Sequence, residues 1–227
     1  MTNYVLVHGA WHDGWAWDRV SPVLREGGHQ VLTPTLPHAP GTTLAEHVAV
    51  IREAIASTAQ PVTVVAHSYA GVVAPQSVAM SDPAHVEALV LVDGWLTSAG
   101  QSLLDVAPDW FGDWCRDSAV GSGDMAVLPP PPASTLGLVD EGLVEFVESR
   151  MTAQPMRTFT DRAAVTLDRP ALRRYAVTCV PSMWPFGDMA RSSGYEVLEI
   201  QSDHELMLSH PDAFLEVLAS LSSAPRS

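Results

Sequence analysis

The fold of this chain is decided by residues 62–71, which read VTVVAHSYAG. The β-branched start of this stretch predicts a buried strand, and the residues from Ala70 onward predict a helix. A tight turn between the two would lift the Ser68 hydroxyl out of the sheet. The backbones then approach closely, which requires small neighbours such as Ala66 and Ala70. Ser68 is therefore a candidate nucleophile, the alternative being a serine that caps a core helix.

On both sides of this stretch, short apolar runs alternate with helical patterns. This alternation predicts an α/β fold, a mostly parallel sheet with helices on both faces. The predicted strands are 4–7, 30–33, 62–66, 86–93, 175–179 and 196–200. The predicted helices are 17–26, 44–58 with Thr43 as its N-cap, 70–80, 140–151 and 211–221. Residues from about 94 to 172 break the rhythm and are rich in tryptophan and proline, so we expect a small cap insertion within a single domain of residues 1–227.

Two further segments lie at the ends of predicted strands. Residues 5–15 read VLVHGAWHDGW and place a His-Gly pair after the first strand, whereas residues 202–208 read SDHELML and follow the last strand. The carboxyl ends of parallel strands meet at one edge of a sheet, so His204 can reach Ser68 as a general base. The order of a serine first and a histidine last differs from the orders found in chymotrypsin and subtilisin.

These segments resemble the α/β-hydrolase superfamily, and within it the plant methylesterases, salicylate-binding esterases and hydroxynitrile lyases with their short bacterial relatives. The likeness is carried by HGAWHDGW at 8–15, AHSYAG at 66–71 and DHELML at 203–208. Residues 129–132 and 152–156 of the cap add to it, so the resemblance covers nearly the whole chain. It implies an α/β-hydrolase fold whose strand-to-helix turn is a nucleophile elbow.

The resemblance also implies a role for each matching residue. Ser68 would be the nucleophile and His204 the base, while the backbone amides of Ala10 and Tyr69 would form an oxyanion hole. The side chains expected to lie by the substrate pocket under the cap are Trp11 and His12.

Two departures from the family bear on the reaction. The hydroxynitrile lyases of the group carry threonine at the position of Gly9, to steer a cyanohydrin hydroxyl. They carry lysine at the position of Glu205, to handle the charge of cyanide. Because this chain has neither residue, the resemblance favours an esterase over a lyase.

The acid of the triad is the third departure. The family places it after the penultimate strand, where this chain has Ser182. The candidate substitutes are Asp93, at the end of the strand after the elbow helix, Asp188 and Asp203. Asp93 is the preferred candidate, although it could also be a structural residue that caps a turn. Asp188 lies far along the chain, Asp203 is better placed to orient the loop of His204, and a site without any acid stays open.

Three functions are compatible with these residues. The first is a serine-dependent hydrolase that cleaves a small apolar or aromatic carboxylic ester through an acyl-enzyme. The second is a lyase, dehydratase or cyclase in which Ser68 and His204 act as acid and base. The third is a small-molecule binding protein.

Composition limits the partners and the compartment. The 227 residues hold 12 Lys and Arg against 26 Asp and Glu, a net charge of -14, which opposes binding to nucleic acid or to anionic membranes. No apolar run is long enough to span a membrane, and the start resembles no signal peptide, so a cytoplasmic location is expected. Neither the two cysteines nor the nine histidines form a metal pattern, and no cofactor is expected. The expected partner is a small-molecule substrate, and a homodimer stays open.

Overall fold

A computed structural model describes residues 2–182 and 184–223 of the chain. Its centre is a six-stranded parallel sheet, which confirms the predicted α/β architecture. Within these residues the strands are β1 (Asn3–Val7), β2 (Gln30–Leu32), β3 (Val62–His67), β4 (Val86–Val92), β5 (Val127–Leu128), β6 (Gln154–Pro155), β7 (Arg173–Val180) and β8 (Glu196–Gln201). The main sheet has the order β2-β1-β3-β4-β7-β8, with β3 and β4 at its middle.

Helices surround the sheet, and the five predicted from the sequence are present close to their predicted positions. They are α1 (Ser21–Glu26), α2 (Leu44–Ala56), α3 (Ala70–Ala79), α4 (Leu103–Val106), α5 (Asp109–Ser118), α6 (Glu141–Glu148), α7 (Arg157–Thr160), α8 (Phe186–Ser192), α9 (Leu206–Ser209) and α10 (Pro211–Ser223). Thr43 caps α2 as predicted, since its side chain accepts from the amide of Glu46 while Glu46 accepts from the amide of Thr43. The helix predicted at 17–26 begins only at Ser21, because residues 14–17 form a separate 3-10 turn and a proline occupies the first turn of α1.

The strands bury both of their faces. Alternate side chains of β3 point to opposite sides, so that Val64 packs in one apolar core with α2 and α3, while Val65 packs in the other with α1 and α10. The apolar residues of 94–172 join these same two cores, through Phe111 and Phe159 on one side and through Leu143 and Val147 on the other. The short antiparallel pair β5–β6 within this segment was not predicted. No helix of the described residues combines the length and the apolarity needed to cross a membrane.

Gly71, in the first turn of α3, allows the closest backbone approach among the glycines described. A Cβ at this position would overlap the carbonyl oxygen of Trp95 and lie 3.1 Å from its amide nitrogen. The same contact region is fixed by hydrogen bonds from the amides of Gly71 and Trp95 to the carbonyl of Ser68, at 3.0 and 3.1 Å. Helix α3 therefore sits directly against the chain that leaves β4.

We expect Gly71→Ala to destabilise the protein by about 2–3 kcal/mol, because the methyl group meets rigid backbone that cannot rotate away. Gly142→Ala is the matched control, since a Cβ at this exposed position of α6 meets the side-chain oxygen of Asp140, 3.3 Å away, and no backbone atom. Urea unfolding of both variants measures the difference. Equal stabilities for the two variants would contradict the close packing of α3.

Candidate active site

Three strand ends converge at the carboxyl edge of the sheet, and each carries a strained residue. Ser68 follows β3, Asp93 follows β4 and Trp11 lies in the loop after β1. They are the three residues other than glycine that have positive φ in the described part of the chain, with values of 52°, 46° and 65°. Such backbone is costly for L-residues and persists only where the surroundings impose it. All three of these residues belong to the site that the sequence predicts.

Ser68, His204 and Asp93 form a continuous hydrogen-bond relay. The His204 Nδ1–H donates to Asp93 Oδ2 at 2.7 Å, which leaves Nε2 to accept from the Ser68 hydroxyl at 2.9 Å. Burial by itself would lower the pKa of His204, but the hydrogen bond to Asp93 and the nearby carboxylates raise it above its ordinary value. The arrangement is that of a nucleophile, a base and an orienting acid.

The position of Asp93 is fixed on three sides. Its amide donates to the carbonyl of Val177 at 2.8 Å, and its second carboxylate oxygen accepts from the amide of Cys179 at 3.0 Å. The amide of Ser68 in turn donates to the carbonyl of Val92 at 3.0 Å, which ties the elbow to the strand that ends at Asp93. The carboxylate is 2% exposed and faces His204.

The two other candidate acids, and the serine at the family's usual acid position, lie elsewhere. Ser182 is exposed, and its hydroxyl bonds to the backbone of Trp184. Asp188 is on α8 with its side chain 88% exposed and paired with Arg191. Asp203 accepts from the amide of Glu205 and from a serine hydroxyl, so that it orients the loop that carries the histidine.

His67, the last residue of β3, supports this histidine loop from below. Its Nε2–H donates to the carbonyl oxygen of His204 at 2.9 Å, and the two rings lie 4.7 Å apart. From the other side, the amide of His204 donates to the carbonyl of Leu136 in the cap segment at 3.2 Å. Burial lowers the pKa of His67 to about 3, so it stays a neutral support.

The amide of Tyr69 directly follows Ser68 at the start of α3, and the amide of Ala10 lies in the loop after β1, next to Gly9. Within the described residues, no protein acceptor receives a hydrogen bond from either amide, although Ala10 and Tyr69 are 4% and 1% exposed. Unpaired buried amides are rare in proteins and indicate a place for an external acceptor. Gly9 keeps this place narrow, since a Cβ there would come within 2.8 Å of His67 Nδ1 and 3.1 Å of Ser68 Cβ.

A cavity of about 320 Å³ opens above Ser68 and His204. Most of its wall is aromatic, and much of it comes from the cap segment. Trp110 and Trp184 stack in parallel at 5.0 Å, with Trp110 55% exposed at the surface. The other lining residues are Trp11, Trp95, Phe111, Trp114, Pro131, Pro132, Thr135, Leu136 and Phe186. Trp184 and Phe186 were not predicted as lining residues. The sequence feature that could have indicated them is this pair of aromatic residues in the segment after β7, where the family places its acid.

Trp11 joins the cavity as predicted by the resemblance, and the cap holds it there. Its amide donates to Gln154 Oε1 at 3.1 Å, its indole N–H donates to the carbonyl of Leu128 at 3.1 Å, and its carbonyl accepts from the amide of Thr152 at 2.9 Å. These contacts explain its strained backbone. Buried Gln154 was not predicted, because a lone glutamine in a loop carries no recognisable pattern.

His12 occupies a different place from the one expected for it. The described residues that line the cavity do not include it. It is 2% exposed, its Nδ1–H donates to the carbonyl of Ala10 at 2.7 Å, and its Nε2 lies 3.4 Å from the Glu205 carboxylate. It therefore supports the Ala10 loop from behind instead of meeting a ligand. Glu205 itself is fully buried, which its charge gave no reason to expect.

His47 on α2 holds the ring of Tyr69. Its Nε2–H donates to the carbonyl of Pro37 at 2.8 Å, so its Nδ1 accepts from the Tyr69 hydroxyl at 2.9 Å. Accepting a hydrogen bond at Nδ1 requires the neutral imidazole, and burial lowers the pKa of His47 to about 4. The residue next to the nucleophile is thus fixed by a histidine that stays uncharged.

Because folded His47 stays neutral where an unfolded histidine protonates, stability is lost as the pH falls below the unfolded pKa. From about pH 6.5 to about pH 4.5 this one site should remove roughly 2 kcal/mol from the free energy of unfolding. We expect His47→Gln to lose that much less than the wild type over the same range. Urea unfolding at each pH measures both slopes, and parallel curves would contradict a neutral buried His47.

The described residues contain no group of three or more His, Cys, Asp or Glu side chains arranged to hold a metal ion.

Comparison with known proteins agrees with the geometry. The chain is 29% identical to a carbendazim hydrolyzing esterase of Nocardioides sp. strain SG-4G, over 97% of this chain and 100% of that protein. Over 42 residues, 18% of this chain and 16% of the relative, it is 48% identical to salicylic acid-binding protein 2 of Nicotiana tabacum. The likeness to the plant esterase group is confirmed.

Solved structures share the same fold at low identity. Polyneuridine aldehyde esterase superposes with a TM-score of 0.81 at 19% identity, covering 98% of this chain and 100% of that one. Tomato methylketone synthase I superposes with a TM-score of 0.80 at 17% identity, covering 97% of both chains. Residues 4–217 match the sequence profile of the alpha/beta hydrolase family, and the chain therefore belongs to that family.

Proposed function

We propose that the protein is a serine-dependent hydrolase that cleaves small, uncharged apolar or aromatic carboxylic esters through an acyl-enzyme. The observation that carries the proposal is the relay from Asp93 through His204 to Ser68, at 2.7 and 2.9 Å, on the floor of an aromatic cavity. The full-length relative whose name describes an esterase supports the same reaction class.

In the acylation step, Ser68 Oγ attacks the carbonyl carbon of the ester while its proton passes to His204 Nε2. Asp93 stabilises the imidazolium that forms. The oxyanion accepts hydrogen bonds from the unpaired amides of Ala10 and Tyr69, which the loop after β1 and the start of α3 hold in place.

The C–O bond of the tetrahedral intermediate then breaks, and the alcohol leaves with the proton from His204. In deacylation, water gives a proton to the same nitrogen and attacks the acyl carbon. The carboxylic acid departs, and Ser68 regains its proton.

The substrate class follows from the cavity wall. Seven aromatic side chains line it, which suits stacking against a planar group. Among the described lining residues, His204 is the titratable one, and none is Asp, Glu, Lys or Arg. A charged substituent would have no partner there and would lose its hydration on entry.

The nucleophile and the acid can be tested together. A fluorophosphonate should add its phosphonyl group once to the wild type, by intact mass, and the wild type should hydrolyse p-nitrophenyl acetate. Ser68→Ala should lose both properties. Asp93→Asn should keep Ser68 but lower kcat by about 10³–10⁴-fold, because the amide no longer fixes the tautomer of His204 or stabilises its cation.

Asp188→Asn is the matched control for Asp93→Asn, since it removes an exposed carboxylate of α8 and should leave kcat unchanged. Turnover that survives in Ser68→Ala would contradict the assignment of Ser68 as the nucleophile. A folded wild type that neither labels nor hydrolyses esters would point instead to a non-hydrolytic reaction of Ser68 and His204.

Substrate charge provides a second test. We expect kcat/KM for a methyl benzoate with a para carboxylate to be about 100-fold or more below that of the para carboxamide, a neutral analogue of nearly the same size. The comparison uses initial rates of alcohol release at one pH. Equal values for the two esters would contradict an uncharged substrate class.

A further inference from the structure

A second carboxylate lies buried next to the Ser68–His204–Asp93 relay. Glu205 directly follows the histidine of the relay and is 0% exposed. Within the described residues, neither of its carboxylate oxygens has a hydrogen-bond partner. Its closest ionic partner is His12 Nε2 at 3.4 Å, and His12 is itself 2% exposed. Burying a carboxylate without hydrogen bonds costs free energy of folding, which indicates that Glu205 has a role other than stabilising the fold.

The groups around Glu205 come from three parts of the fold. His12 belongs to the loop after β1, His67 ends β3, and His204 and Asp203 share the loop of Glu205 itself. The ring of His67 lies 6.3 Å from that of His12 and 4.7 Å from that of His204. Glu205 thus lies among imidazoles from three parts of the fold, and it also interacts with the Cys179 thiol of β7, which stays neutral because burial raises its pKa.

The imidazoles around Glu205 differ in the direction of their pKa shifts. Burial keeps the pKa of His67 far below its ordinary value, so His67 adds no cation at neutral pH. Burial would also lower the pKa of His12, but Glu205 raises it above the ordinary value. Burial would raise the pKa of the Glu205 carboxyl, yet the imidazoles, His12 first, lower it to about 2. Glu205 is therefore an anion, and His12 is the group that keeps it ionised.

Two sources of negative electrostatic potential act on the ring of His204. Asp93 binds its Nδ1–H directly, while Glu205 and Asp203 act through space from its own loop, with His12 opposing them. The acylation step creates a positive charge on this imidazole. A fixed anion beside it favours that charge and needs no rearrangement when it forms.

We propose that Glu205 is a positioning residue of this site, a second buried carboxylate that stabilises protonated His204 through space, and that the buried ion pair with His12 holds it there in its ionised form. The role in catalysis rests on the proposed ester hydrolysis, whereas the effect on His204 does not.

The direct test is an NMR titration of the His204 ring, assigned by comparison with His204→Gln. In Glu205→Gln the pKa of His204 should fall, because the protonated ring loses a nearby anion, while His12 loses the partner that raises its pKa and becomes neutral. Glu205→Met removes the same charge with a similar volume and should give the same shift, and urea unfolding shows that each variant is folded. Asp188→Asn is the control for the loss of one exposed charge and should leave the titration unchanged.

The rate profile gives the second readout. The base must be neutral, so kcat/KM rises with pH through the pKa of His204 in the free enzyme. In both Glu205 variants that limb should move to lower pH by the same amount as the NMR titration, and the plateau kcat should fall while KM changes little. A merely structural role would lower stability without moving the limb.

A His204 titration that is unmoved or moves upward in the folded variants would overturn the proposal. So would a wild-type His204 that titrates at or below the ordinary histidine value. If the wild type fails to react with a fluorophosphonate but the titration shifts as expected, the hydrolase proposal fails while the electrostatic role of Glu205 stands. If labelling and turnover succeed without a shift, the reverse holds.

Discussion

The site depends on a backbone constraint at the middle of the sheet. There, the hydrogen bonding between β3 and β4 continues past the ends of the two strands. The amide of Ser68 donates to Val92, and the amide of Trp95 donates back to Ser68. Between these bonds both Ser68 and Asp93 are forced to positive φ. The same set of backbone hydrogen bonds therefore positions both the proposed nucleophile and its proposed acid. Because Gly71 leaves room for Trp95, the helix behind the elbow can close against it.

Much of this arrangement can be read from the sequence. Period and turn residues predicted the sheet, the helix caps and the elbow, since these depend on neighbours a few residues apart. Ser68 and His204 could be placed because both lie at strand ends, where topology alone brings them to one edge. Asp93 was only the preferred candidate among several, because its reach toward His204 depends on a turn whose geometry no local pattern specifies.

The parts that sequence could not predict are long-range contacts between buried polar groups. His12 was expected beside the ligand but supports the Ala10 loop, and the burial of Glu205 was not predicted. Each depends on the other, across more than half the chain, so neither residue alone carries a recognisable signal. Gln154, which holds Trp11, was missed for the same reason. The residue types indicate the free-energy cost of burying such groups but not the residues with which they pair in the folded chain.

The three hydrogen bonds between Trp11 and the cap have a consequence for the working cycle of the site. Trp11 directly follows Ala10, whose amide is one of the two proposed oxyanion donors, and its amide, carbonyl and indole are all held by residues 128–154. A cap that swings outward must either break these bonds or drag the Ala10 loop with it. The roof of the cavity and the proposed oxyanion hole are therefore mechanically coupled, because the segment that covers the cavity also fixes the residue next to Ala10.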